Sequence, residues 1–243
     1  MIIDAKGLHT RELNERIRTG IGRGETAFML ENLQGQRYVG AGLGEGITIR
    51  IAGVPGNDLG AFMNGAEITI EGNAQDGVGN TMNAGTIVVD GNAGDILGHA
   101  MRGGKVFVRG RVGYRACIHM KAYRERRPAV VIGGGAGDYL GEYMAGGILV
   151  VLGLGVGDDS PVGQYVGTGM HGGEIFIRGR VEEHQLGAEV GVDRADEEDW
   201  ETVSELLETF RGAFDLNGRE FARDDFAKLT PKSSRPYGTL YAY

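Results

Sequence analysis

The chain has 243 residues, 41% of them hydrophobic, enough for one large or one elongated core. Its 45 glycines lack the every-third-residue spacing of collagen, its plentiful Ile, Val and Leu exclude a disordered chain, and a net charge of −8 argues against nucleic acid as a partner. A single cysteine, Cys117, excludes an internal disulfide and a cysteine-held iron–sulfur cluster; Met1-Ile2-Ile3-Asp4 does not begin a signal pattern, and no window reaches the ~20 apolar residues of a membrane span, so a cytoplasmic protein with no membrane association is expected.

Residues 1–39 read as an N-terminal cap. Thr10 is the expected N-cap of a short helix in which Leu13 and Ile17 share a face and Gly20 ends the element.

From residue 40 to 181 the chain repeats. Short strands end at Gly53, Gly72, Gly91, Gly110, Gly133, Gly153 and Gly179, the first three steps being 19 residues and the later ones 23, 20 and 26. Within the strands apolar residues alternate, as in Ile49/Ile51, Ile68/Ile70 and Val106/Val108, while Thr69, Glu71, Asp90 and Arg109 mark a polar face. Period two with one polar face describes a strand buried on one side. Before most strands stands Gly-x-x-Met: Gly60 with Met63, Gly79 with Met82, Gly98 with Met101, Gly141 with Met144 and Gly167 with Met170. Five of the eight methionines share this slot, which predicts a structural corner. Glycine permits the tight turn and methionine fills irregular space inside it. Core packing is the expected role of these methionines, a copper site the rival.

A repeat this short is one coil of a solenoid, since helix–turn–helix units need about 30 residues or more. The expectation is an all-β fold, a right-handed single-stranded parallel β-helix of about seven coils, with short capping helices at its two ends. Uncapped ends of such a stack can pair between copies, so a homo-oligomer is one arrangement open to it. The long steps place insertions near 113–127 and 154–164. Gly133-Gly134-Gly135-Ala136-Gly137 imitates a phosphate-cradling loop, but a strand rather than a helix follows, so a corner is expected.

His9, His99, His119, His171 and His184 show no metal-ligand spacing, and no metal site is expected. Cys117 and His119 would share a face if they lay on a strand, which permits a nucleophile pair; a buried, inert cysteine is the plainer reading. Between residues 102 and 127 nine basic residues face Glu125 alone, whereas between 182 and 208 eleven acids face Arg194 alone. Two solvated faces account for this. The sharper expectation is that Arg124, Arg126 and Arg127 dock an acidic partner or a bound anion.

Residues 182–243 form the last segment. A helix opens on Asp196-Glu197-Glu198-Asp199, acids at its positive end, with Trp200, Val203, Leu206, Leu207 and Phe210 as its apolar stripe. An aromatic tail with Pro231, Pro236, Tyr237, Tyr241 and Tyr243 follows, expected to pack on the solenoid or on a partner.

The repeated pattern, above all GEYMAGGILVVLG and GTGMHGGEIFIRG, resembles the C-terminal β-helical G-x-G-x-G domain of the glutamate synthase large subunit, over about residues 40–179. The resemblance is to the stand-alone form, as in archaeal-type glutamate synthases and methylamine–glutamate N-methyltransferase-like enzymes. It implies a scaffold with no catalytic residue and no cofactor of its own, organising glutaminase-like and FMN-binding synthase subunits, with FMN and iron–sulfur clusters held by those partners. The sequence is also similar to the separate β-helical subunit of formylmethanofuran dehydrogenase, which implies partners bearing molybdopterin and an amidohydrolase metal site. A free-standing ligand-binding β-helix is the remaining alternative and calls for exposed aromatic ladders, which the strands lack.

Overall fold

The computed structural model describes residues 1–157 and 159–234. Its elements are β1 (Ile2–Asp4), α1 (Thr10–Gly22), β2 (Ala27–Gln34), β3 (Thr48–Val54), β4 (Asn64–Glu71), β5 (Ala84–Val89), β6 (Lys105–Val108), β7 (Ala129–Ile132), β8 (Ala145–Val151), β9 (Gly172–Arg178), β10 (Val190–Arg194), α2 (Glu197–Ala213) and β11 (Phe226–Pro231). No helix among the described residues is long and apolar enough to cross a membrane. The residues Pro236, Tyr237, Tyr241 and Tyr243 of the aromatic tail lie outside the described residues.

The strands form one sheet in the order β1-β2-β3-β4-β5-β6-β7-β8-β9-β11-β10. From β1 to β9 every pairing is parallel and each strand joins the one a coil later, as a parallel β-helix requires. The rungs delimit about six turns, against the seven coils expected: seven closing glycines count the rungs, and the turns lie between them. Register also moves one rung marker. Val130 pairs with Val106 and Ile132 with Val108, so Gly134, not Gly133, is in phase with Gly110. The insertion is therefore confined to 121–128, just before β7, and the following coil keeps the regular step.

Inward positions repeat in columns. Ile49, Ile68, Ile87, Val106, Val130, Leu149 and Ile175 form one; Ile51, Ile70, Val89, Val108, Ile132, Val151 and Ile177 form the next, all essentially inaccessible to solvent. Each such side chain contributes about 1.5–3 kcal/mol of burial. Short sides complete each coil. Ala74, Ala93, Val112 and Ala136 stack on one, joined by coil-to-coil backbone bonds such as Ala74 N–H to Asn92 O at 2.9 Å and Ala93 N–H to Arg111 O at 3.0 Å. A carboxylate or amide ladder reinforces the stack: Asp76 Oδ1 accepts from Asp95 N, and Asp95 Oδ1 from Tyr114 N, at 2.9 and 2.8 Å.

The outer face of the wall changes character along its length. In the early rungs it is ionic, with Arg50 on Glu71, and at the end of β6 Arg109 still pairs with Asp90 at 2.8 Å. From β6 onward it turns apolar, and Phe107, Val131, Val150 and Phe176 lie side by side in register. Against this strip packs the apolar stripe of α2, Val203, Leu206, Leu207 and Phe210, forming a second core distinct from the interior. The expected C-terminal helix thus does its covering on the flank of the last coils. The sheet itself ends on β11 and β10, which run antiparallel and set Leu229 and Val190 into the interior core.

At the other end α1 contributes Leu13 and Ile17 to that core. Its N-cap is His9, whose Nδ1 accepts from Arg11 N at 3.3 Å; Thr10, expected in that role, is the first helical residue and accepts from Arg37 N instead. The helix runs past Gly20 to Gly22.

Candidate interaction surfaces

The Gly-x-x-Met corners align in one column on a single side of the stack. Met63, Met82, Met101, Met144 and Met170 are all fully buried in the interior core. Gly60, Gly79, Gly98, Gly141 and Gly167 all have φ between 65° and 70°, and each donates its N–H to the preceding coil, as from Gly79 to Leu59 O at 2.9 Å. At Gly60 a Cβ would lie 2.6 Å from Ile87 Cδ1, so the slot favours glycine on space as well as on φ.

One member of the column escaped the motif. Cys117 occupies the glycine slot, with φ 62° and its N–H on Leu97 O at 2.6 Å, and Met120 occupies the methionine slot, fully buried. The signal was spacing rather than residue type, since both lie 19 residues after Gly98 and Met101.

These corners are not strands. Left-handed residues alternate along them: Tyr139, Gly141 and Tyr143 in one coil, Arg115, Cys117 and His119 in another. Because of this geometry Cys117 and His119 make no nucleophile pair. Cys117 is sealed in the core, and burial pushes its thiol well above the ordinary range. His119 is exposed, and its ring stacks on Tyr143 at 5.3 Å.

The outer surface of the same corners carries further rings. Tyr139 stacks on Tyr165 at 4.9 Å, and the Arg115 guanidinium lies 4.8 Å from the Tyr139 ring centroid. His99 meets His119 edge-on at 6.2 Å and sits 3.1 Å from Asn80 Oδ1. Burial, then the His119 charge, holds His99 below the usual imidazole range against an opposing pull from Asp58. In the same corner, between Tyr139 and Tyr143 in the chain, Glu142 is almost wholly buried; its Oε2 forms an ion pair with Arg115 at 3.5 Å and accepts no hydrogen bond. Aromatic ladders are therefore present on this chain, at its corners and not on its strands.

The three arginines of the basic insertion are brought to one hairpin, closed by Tyr123 and Arg126, but not to one task. Arg124 lies over the Tyr123 ring at 5.2 Å. Arg126 reaches across two coils to Asn64 Oδ1 and Asn83 O, at 3.3 and 3.4 Å. Arg127 pairs with Glu174. Glu174 also binds Lys228 Nζ at 2.8 Å, and Lys228 binds both oxygens of Asp199, at 2.6 and 2.8 Å. Burial lowers the Lys228 affinity for its proton, but hydrogen bonds and charge from Asp199 and Glu174 outweigh it and raise the value. For Asp199 burial raises the value, and the Lys228 bond, the Asp196 N–H and the Lys228 charge reverse the sign and lower it. This ionic chain joins the basic hairpin, β9, β11 and the first turn of α2. A cavity of about 210 Å³ beside it is lined by Arg127, Glu174, Asp199, Thr202 and Lys228 among others.

The Gly133–Gly137 run is the short side of a coil. Gly133, Gly134, Ala136 and Gly137 donate their N–H groups to Val108, Gly110, Pro161 and Val112 carbonyls, so those donors serve the stack.

The family model described as GXGXG motif matches residues 22–234. Uncharacterized protein MJ1350 of Methanocaldococcus jannaschii is 46% identical over 250 residues, spanning 99% of this chain and 96% of that protein. A chain of the formyltransferase/hydrolase complex of Methylorubrum extorquens, solved in complex with methylofuran, shares the fold with a TM-score of 0.62 at 20% identity, over 89% of this chain and 87% of that one. With the model matching from within α1 to beyond β11, this chain belongs to the GXGXG motif family.

Proposed function

We propose that this chain is a structural subunit of a multi-subunit enzyme complex, catalysing nothing and binding no cofactor itself. In this reading it organises a glutaminase-like subunit and an FMN-binding, iron–sulfur-carrying synthase subunit, in the cytoplasm, for glutamate synthesis or a related nitrogen transfer. The observation that carries the reading is the filled, unbroken wall. Eleven strands among the described residues lie in one sheet, and at a spacing of about 4.8 Å they make a rigid edge on the order of 48 Å long. Its interior is occupied by its own side chains, so what it offers to other molecules is its outer surface. Such a body holds neighbours at set positions.

A second reading has the likeness to a chain of the formyltransferase/hydrolase complex in its favour. There the partners would be those of a formylmethanofuran dehydrogenase, bearing molybdopterin and an amidohydrolase metal site.

Purification of the tagged full chain from the cells that make it separates the two. Co-purifying glutaminase-like and flavin-containing chains are expected for the first, molybdopterin-containing and amidohydrolase-like chains for the second. Flavin absorbance near ~450 nm in the isolated chain would overturn the claim that it carries no cofactor. For the basic hairpin, Arg124→Glu is the cleaner probe of docking to an acidic partner, because reversing Arg127 also breaks its pair with Glu174.

A further inference from the structure

The two ends of the stack are finished differently. At the first, α1 lays Leu13 and Ile17 over the interior core. At the last, α2 lies on the flank, and the sheet ends on the free edge of β10. Two backbone bonds fix the phase of that edge: Lys232 N–H donates to Glu189 O at 2.8 Å, and Gly179 N–H to Asp225 O at 3.3 Å. Antiparallel partners bond at every second residue, so Gly191 and Asp193 turn their backbone groups toward Thr230 and Lys228. Val190, Val192 and Arg194 turn theirs away from β11. Gly187 O takes the Val190 N–H at 3.1 Å; the Val190 carbonyl and both backbone groups of Val192 and Arg194 have no backbone partner among the described residues.

The side chains of these residues face the interior. Val190 is buried in the interior core, and Val192 lies opposite Leu229 of that core, yet Val192 is 58% exposed. It continues the apolar column past the last rung. A groove of about 460 Å³ opens beside it, lined by Val181, Glu183, Leu186, Val190 and Val192 among others. The strand carries no lysine, proline or bulge, the usual guards of an edge against pairing.

The strand is complementary to itself. In an antiparallel pairing centred on Val192, each Val192 exchanges both bonds with the second copy's Val192, and each Arg194 N–H donates to the second copy's Val190 O. Asp193 then meets Gly191, whereas the neighbouring registers of the same phase set Asp193 against Asp193 or against Glu189. Arg194 stands opposite Val190 on the interior side, which brings its guanidinium over the groove that Glu183 lines. Neither Arg194 nor Glu183 makes an ion pair among the described residues, so the pairing gives each an opposite charge, once on either side of the axis.

We propose that the free edge of β10 is a self-association surface: a second copy of this chain pairs its own β10 there, joining two solenoids end to end about a two-fold axis at Val192. The inference does not depend on which enzyme complex the chain serves.

Sedimentation equilibrium of the purified full chain tests it. Wild type is expected to dimerise. Arg194→Glu and Glu183→Arg should each raise the dimer Kd about tenfold or more, because like charges then meet across the axis, and the double variant should return it close to wild type. A thermal midpoint near wild type checks that each variant folds. Val192→Cys should form an interchain disulfide in oxidised glutathione, since bonded antiparallel partners set their Cα atoms about 5.5 Å apart, within disulfide reach. Cys117 is sealed in the core, and Val54→Cys, exposed on β3, is the control expected not to cross-link. A wild type still monomeric at ~1 mM overturns the proposal. So does a dimer that ignores both charge variants and leaves Val192→Cys unlinked, which uses another face. Weakening by the single variants without rescue in the double variant overturns the register. A different chain linked to Val192→Cys in the cells that make it overturns the second copy as the occupant.

Discussion

Replacing Lys228 with methionine removes the cation that ties the C-terminal elements to the wall while keeping the length of the side chain. Lys228 is 14% exposed and Asp199 8%, so the pair is shielded from water. Breaking a fully buried pair by removing one partner costs about 3–5 kcal/mol, because the remaining charge is left without compensation. Two features reduce the figure here. Glu174 keeps Arg127, and Asp199 keeps the Asp196 N–H at 2.9 Å in the first turn of α2. A loss of about 2–3 kcal/mol is therefore expected. Trp200, the sole tryptophan, sits on α2 with its ring 5.9 Å from Phe226, so its fluorescence during urea unfolding reports the affected region directly. Asp199→Asn in the same chain should restore at least half the loss, since the buried charge is gone and the amide oxygen can still accept from Asp196. A shift below about 0.5 kcal/mol for Lys228→Met, or no recovery in the double variant, would refute this account of the network.

The same network sets a pH window. Asp199 is lowered from 3.8, so its contribution is present above that value and lost as pH falls through the lower folded value; Lys228 is raised from 10.5, so its contribution is present below that value and lost as pH climbs past the folded one. Trp200-monitored stability of wild type should thus fall at both extremes, and that of Lys228→Met should lose its alkaline fall. Cys117 should resist thiol reagents in the folded chain and react fully in denaturant, as burial keeps the thiol protonated; rapid labelling of the native chain would contradict its placement. Gly85→Ala puts a Cβ 2.2 Å from Ala66 O at φ 101° and should cost about 3 kcal/mol or more by calorimetry, whereas Gly155→Ala meets nothing within 4 Å and should cost only about 1 kcal/mol of left-handed strain. Met82→Ala, emptying a fully buried corner, should cost about 2–5 kcal/mol in the same assay.

Rungs and corners were legible from residue order because each coil makes the same local demand. A strand buried on one side needs period two, and a left-handed corner packed against the next coil favours glycine. Where a coil met the demand with another residue, as Cys117 does, the reading by residue type passed over it, though the 19-residue spacing still marked it. The one-residue slip at Gly133 has a similar cause. Ala129-Val130-Val131-Ile132 is buried on both faces, so alternation could not say which pair points inward; only pairing with Val106 and Val108 could.

From sequence alone came the fold class, the column of corners, the acidic start of α2 and the presence of two irregular steps in the stack, since each depends on neighbours along the chain. Three things waited for the tertiary structure. The berth of α2 depends on Phe107, Val131, Val150 and Phe176 lining up from four different coils. The basic hairpin's engagement with Glu174, and through it with Lys228 and Asp199, spans elements far apart in the chain. The aromatic corner face joins Tyr139 to Tyr165 and His119 to Tyr143 across unequal steps of 26 and 24 residues. Stacking converts those unequal separations into one rung spacing, and a surface assembled that way has no periodic trace in the linear chain.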